Sequence, residues 1–223
     1  MVQRAWSASL RFGFRLLYNE LAWTYDTVSW LVSLGQWRQW QRVGLEAVIG
    51  PRVLELAHGP GHMLIEAARR GFQVVGIDLS SHMSRQAARR LRQSRQVADL
   101  VRARSQALPF AAHTFDSVLA TFPTDFIIDP ATLRAVHRVL RPGGRLIVVP
   151  EARLTGGGLL VSLLEWLYRI TGQRRTPMEG SQLWSSLRES FAEEGFSLEV
   201  DRHVLEQSVV SVVVARRDEG RGR

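Results

Sequence analysis

Ten residues, Val53-Leu54-Glu55-Leu56-Ala57-His58-Gly59-Pro60-Gly61-His62, limit most severely what this chain can fold into. They read as a buried strand running into a glycine-bearing turn. A second short strand, Val74-Val75-Gly76-Ile77, follows about one helix later and ends on Asp78. Strand, glycine turn, helix and a second strand tipped by a carboxylate make half of a nucleotide-binding α/β sheet. Gly59 and Gly61 let backbone approach a ligand, and the helix that follows presents its N-terminus to an anionic group. Asp78 is placed to accept hydrogen bonds from ribose hydroxyls.

The dinucleotide pattern G-x-G-x-x-G would need glycine at 57 and at 62 or 64. Those positions hold Ala57, His62 and Leu64, which argues against a nicotinamide or flavin cofactor. Composition removes other classes. The chain has no Cys, so disulfides, thiolate nucleophiles and Cys-based zinc sites are excluded. All 29 basic residues are Arg, so Schiff-base chemistry through a lysine is excluded too. No His spacing suggests metal ligation, and no metal is expected. The net charge of +8 favours anionic partners, or is spread over a solvated surface.

Around the central pattern the organisation falls into three parts. Residues 1–50 read as an N-terminal helical cap on the substrate side. Trp6, Leu10, Phe14, Leu17 and Leu21 fall on one helical face with Arg4, Arg11 and Arg15 on its flank. Such a helix suits a membrane interface, or caps the domain's own core. Trp30, Trp37 and Trp40 recur at helical spacing as core or pocket lining, and Gly50-Pro51 ends the region.

Residues 51–216 alternate strand and helix. Strands are expected at 52–57, 73–77, 97–103, 117–120 and 145–149, with a closing hairpin of 196–203 and 208–215. Helices are expected at 62–70, with Ile65, Ala67 and Ala68 inward, at 81–95 capped by Ser80 and Ser81, and at 130–140 and 181–194. Arg141-Pro142-Gly143-Gly144 reads as a helix stop. Within this domain 154–180 is an apolar helical insert over the pocket. Residues 217–223 form a disordered charged tail. No run of about 18 apolar residues and no signal-peptide pattern appears, which points to a cytoplasmic protein, at most peripheral to a membrane.

The motifs then acquire a family. Val53 to Gly61 resembles the first motif of class I S-adenosylmethionine-dependent methyltransferases. Val75-Gly76-Ile77-Asp78-Leu79-Ser80 resembles their ribose-binding motif. Ala107-Leu108-Pro109-Phe110, with Phe115-Asp116-Ser117-Val118, resembles the segment flanking the adenine. Arg138-Val139-Leu140-Arg141-Pro142-Gly143-Gly144-Arg145-Leu146 resembles the run before strand five. The order and spacing are the family's. The resemblance implies a Rossmann-like fold, with a seven-stranded, mostly parallel sheet, a C-terminal antiparallel hairpin and helices on both faces. It also implies S-adenosyl-L-methionine as cofactor.

By the same resemblance, Ala57, His58, Gly59 and Gly61 would lie by the methionine, and Glu55 would hold its amino group or order the loop. Asp78 would bind the ribose, Leu79 and Met83 would pack near the adenine, and Ser105, Gln106 and Ala107 would line its edge. Thr121 and Phe122 would sit by the transferred methyl. The chain departs from the family at Arg104-Ser105, where an Asp or Asn is common, and at His58 and Pro60.

Tyr25-Asp26-x-Val28 and Leu34-Gly35-x-Trp37-Arg38-x-Trp40, with Ala192 to Phe196, resemble the ubiquinone/menaquinone biosynthesis C-methyltransferases. That resemblance implies a small hydrophobic acceptor, and the positive charge suits peripheral contact with an anionic membrane surface. Tyr25, His58, Asp125 and Glu151 are the candidates for a base, which is needed only if the acceptor must lose a proton. RNA or protein methylation is the alternative enzyme reading, supported by the Arg-rich surface. The 85–95 helix lacks interleaved aromatics, so nucleic acid is disfavoured. A cofactor-binding regulatory protein without turnover is the remaining alternative.

Overall fold

The computed structural model describes residues 33, 35–155 and 180–218, with backbone alone for 180–186. The expected helix through Trp6 to Leu21, Tyr25 and nearly all of the apolar insert lie outside the described residues.

Helix α1 (Trp37–Val43) starts where Ser33 Oγ accepts from the Trp37 N–H at 3.0 Å. A 3-10 turn, Gly44–Ala47, leads to Gly50, whose positive φ of 67° turns the chain into the sheet. Ser117 Oγ both accepts from the Ile49 N–H (2.9 Å) and donates to the Ile49 carbonyl (2.8 Å), fixing that entry.

The strands are β1 (Arg52–Leu56), β2 (Gln73–Ile77), β3 (Asp99–Val101), β4 (Phe115–Thr121), β5 (Leu140–Leu154), β6 (Phe196–Leu205) and β7 (Ser208–Arg217). They form one sheet in the order β3-β2-β1-β4-β5-β7-β6. β1 pairs in parallel with β2 and β4, and β7 runs antiparallel to both β5 and β6. Helices α2 (His62–Arg69) and α3 (Ser81–Gln93) follow β1 and β2, α4 (Pro130–Val139) follows β4, and α5 (Gly180–Glu193) precedes β6.

Strand alternation sends side chains to two cores. Leu54, Leu56, Val118 and Leu146 pack with Leu133, Val136 and Phe191 of α4 and α5. Val53, Leu119 and Ile147 pack with Val43, Leu64 and Ala87 of α1, α2 and α3. Helices thus cover both faces, and the expected sheet of seven strands is present.

Several boundaries move. β5 runs from Leu140, because Leu140 already pairs with Phe115 and the Pro142-Gly143-Gly144 segment is an irregularity in that pairing, not a loop before it. At its other end Glu151 to Leu154 pair with Ser211 to Ser208. β3 is only three residues, paired on one side to β2. β4 is longer than 117–120, and α3 ends two residues short of 95. In α2 it is Met63, Leu64 and Ala67 that are buried, while Ile65 and Ala68 are half-covered, so the helix is rotated about one residue from the expected face. Arg217 closes β7 against Phe196 and so belongs to the domain, not to the tail.

Candidate active site

The carboxyl ends of β1 and β2 bring Glu55, His58, Gly59 and Asp78 together, and Thr121 and Phe122 stand at the end of β4. Asp78 follows β2 directly. Its Oδ2 accepts from the Gly59 N–H at 2.9 Å and its Oδ1 from the Ser80 N–H at 2.7 Å. The carboxylate therefore ties the turn after β1 to the turn after β2. The His58 N–H donates to the Ile77 carbonyl (3.1 Å), a second tie between the same two strand ends.

The two turn glycines act differently. A Cβ on Gly59 would meet nothing within 4 Å, so that position faces open space. A Cβ on Gly61 would lie 2.7 Å from Ala87 Cβ, so its small size lets α2 and α3 approach. Gly76 has a third use: a Cβ there would come 2.9 Å from His58 Cδ2, and its absence makes room for the imidazole.

His58 is 3% exposed, and its Nδ1 lies 2.7 Å from the Gly59 carbonyl, to which it donates. Its Nε2 is buried without a hydrogen-bond partner. Burial lowers its pKa, against the opposing pull of the Asp78 charge. Glu55 is 3% exposed, with Oε2 buried and without a partner. Burial first and the Asp78 charge second push its carboxyl well above the ordinary range.

Of the adenine-edge candidates, Ser105 is buried while Gln106 and Ala107 are exposed. Gln106 Nε2 donates to Asp129 Oδ2 at 3.1 Å. Leu79 is an exposed apolar side chain beside Asp78, whereas Met83 is fully buried in α3, its N–H capped by Ser80 Oγ. Thr121 ends β4, and Phe122 turns away with a φ of 48°. Ala57, at the other strand end, also takes a left-handed conformation (φ 52°).

The wall beyond Phe122 comes from α1. Trp37 stacks on Phe122 with centroids 4.1 Å apart, and Trp40 lies 6.2 Å away, tilted. Trp40 Nε1 donates to Ser208 Oγ (2.8 Å), which donates to Gln36 Oε1 (2.8 Å). Gln41 Nε2 donates to Thr121 Oγ1 at 3.0 Å. Gln41 and Ser208 were not among the expected site residues. The available signal was Gln41's position four residues after Trp37, on the same helix face. Nothing in the sequence brings Ser208 near Trp40.

Of the candidate bases, Asp125 is exposed in the 3-10 turn Asp125–Ile128. Glu151 is exposed on β5, 3.3 Å from Arg153. His58 is enclosed in the Asp78 cluster.

Comparison with known proteins agrees with this geometry. A family model described as a methyltransferase domain matches residues 53–144. The ubiquinone/menaquinone biosynthesis C-methyltransferase of Syntrophotalea carbinolica is 33% identical over 172 residues, covering 74% of this chain and 70% of that protein. The chain belongs to the class I S-adenosylmethionine-dependent methyltransferases. The demethylmenaquinone methyltransferase of Renibacterium salmoninarum is 33% identical over 157 residues, 69% of this chain. The chain spans 65% of that relative's length and 52% of the similar Paenarthrobacter aurescens enzyme. Among solved methyltransferases, the phosphoethanolamine N-methyltransferase 2 of Haemonchus contortus, bound to S-adenosylhomocysteine, superposes with a TM-score of 0.58 at 18% identity. It covers 82% of this chain and 53% of its own. That likeness shows the shared methyltransferase fold.

Proposed function

We infer that this methyltransferase transfers the methyl group of S-adenosyl-L-methionine to a small lipophilic acceptor of the quinone-precursor class, at an anionic membrane surface. The observation that carries the cofactor half is the pairing of open space at Gly59 with an unpartnered, buried Glu55 carboxyl beside Asp78. A group that brings an ammonium and a ribose fits both: the cation satisfies Glu55, and Asp78 retains lone pairs for hydroxyls beyond its two backbone donors. Ala57, His58 and Gly59 would frame the methionine. Leu79, Ser105, Gln106 and Ala107 would frame the adenine, with Met83 as support beneath.

The cofactor supplies, when bound, an activated methyl on a sulfonium for in-line displacement. The chain's contribution is alignment and a dry wall. The half-buried Phe122 and Trp37, backed by the buried Trp40, form an aromatic wall for a flat, apolar acceptor, and the Gln41–Thr121 hydrogen bond holds the β4 end in place. His58 has its Nδ1 proton committed to Gly59 and its ring buried, so its role is to hold the turn. Among the described residues this leaves orientation and shielding, with no base assigned. The relatives named for demethylmenaquinone methylation support the acceptor class.

The test is calorimetric binding of S-adenosylmethionine and S-adenosylhomocysteine to the wild type and to Asp78→Ala, followed by transfer of labelled methyl to a demethylated prenyl quinol. Micromolar binding abolished in the variant, with label in the quinol, is the expected result. Absence of binding by the wild type would overturn the cofactor reading. Binding without transfer would overturn the acceptor.

A further inference from the structure

A groove runs along the outside of the three helices α1, α2 and α3, on the flank of the domain. Its lining includes Arg38 and Arg42 from α1, Glu66 and Arg69 from α2 and Arg90 from α3, with Ile65 half-covered and Met63 buried beneath. Arg42 is held by Glu66 at 3.2 Å, and Arg90 Nη1 sits 3.3 Å from the Pro60 carbonyl and 3.0 Å from His62 Nε2. Arg38 and Arg69 are exposed, and neither forms an ion pair among the described residues. The 13 residues of α3 contain four Arg and no carboxylate. The groove begins next to the site, since Gln41 lines it and also donates to Thr121.

We propose that this face docks the protein on an anionic lipid bilayer, with its arginines among the headgroups. Charge complementarity selects an anionic surface. The arginines are spread over three helices, with two of them already tethered. It therefore presents a field to a surface and does not converge on one small anion. The nearby aromatics Trp37 and Trp40 are turned inward on Phe122, so this face offers no stacking platform for unpaired bases. The choice of a bilayer rests on the lipophilic-acceptor reading; the basic groove does not. Docking by this face sets the carboxyl end of β4 beside the membrane, where a dissolved quinone precursor would enter.

The test is co-sedimentation of the full chain with phosphatidylcholine vesicles and with vesicles containing phosphatidylglycerol, at low and high salt. It uses the wild type, Arg38→Gln/Arg69→Gln, and Arg188→Gln/Arg202→Gln as a control on α5 and β6. Binding confined to the anionic vesicles and weakened by salt is expected. The groove pair should lose about thirtyfold, at about 1 kcal/mol or fivefold per arginine near the surface. The control pair should lose less than threefold, and lysine at 38 and 69 should restore binding. Equal loss in both pairs, no loss in the groove pair, or equal binding to neutral vesicles would overturn the proposal. So would a groove-dependent preference for a random RNA, or concentration-dependent dimerisation through Arg38 and Arg69. S-adenosylmethionine calorimetry on the same samples separates the two readings. Vesicle binding by a wild type that fails to bind the cofactor leaves the docking face standing and removes the assigned reaction.

Discussion

Glu55 and His58 are two titratable side chains sealed under one turn, and their shifts have opposite consequences. The Glu55 carboxyl is raised by burial, so its contribution to stability is full below the unfolded pKa near 4.5 and is lost as pH rises toward the folded value. The His58 pKa is lowered by burial, so stability is lost as pH falls from about 6.5 toward the folded value. Glu55→Gln should therefore raise the melting temperature of the ligand-free protein at pH 8 and leave it unchanged at pH 4.5, while weakening cofactor binding. Scanning calorimetry across pH, paired with titration calorimetry, checks both halves. An ammonium against Glu55 favours its charged form, so cofactor affinity of the wild type should rise with pH through the same window.

The two turn glycines separate equally well. Gly59→Ala carries only left-handed backbone strain, about 1–2 kcal/mol. It should lose at least tenfold in cofactor affinity, since its methyl enters the open space. Gly61→Ala adds a clash with the α3 backbone, about 1–3 kcal/mol of overpacking on top of that strain. Urea denaturation should find the second variant the less stable. The motif made both glycines legible in the sequence. Only the three-dimensional neighbour, Ala87, divides their roles, because it lies 26 residues along the chain on another helix.

Among the elements, α1 does most to join the periphery to the sheet. Trp40 is buried and its indole N–H is bonded to Ser208, so Trp40→Ala should cost about 3–5 kcal/mol by denaturant titration. Trp37→Ala removes the stacking partner of Phe122 and should raise the acceptor KM more than the cofactor Kd, read by steady-state kinetics beside calorimetry. Hydrophobic patterning found α1 through the helical spacing of its tryptophans, and it found β1 and β2 to within a residue as short apolar runs, because those strands are buried on both faces. It misjudged β5. Pro142-Gly143-Gly144 carries the local signature of a turn, and only the pairing of Leu140 with Phe115 overrides it. It misjudged β3, an edge strand with one partner, in which only Asp99 to Val101 pair and which ends opposite Ile77, where β2 ends.

For the whole molecule, a cofactor bound across the ends of β1 and β2 should act as a stabiliser. At a hundredfold excess over Kd the gain is about 2.7 kcal/mol by mass action. That should raise the melting temperature by about 5–10 °C for a chain this long, and Asp78→Ala should show none of it.

The strand order also dictates when this sheet can be finished. β5 ends at Leu154, yet its free edge is covered by β7, which ends at Arg217, 63 residues later. At translation speeds of about 5–20 residues per second, that edge, with Ile147, Val148 and Val149, waits about 3–13 s on the ribosome before its partner exists. A half-made chain thus displays a long, aliphatic, unpaired strand to any neighbour. The yield of this protein in a cell depends on what shields that strand during those seconds.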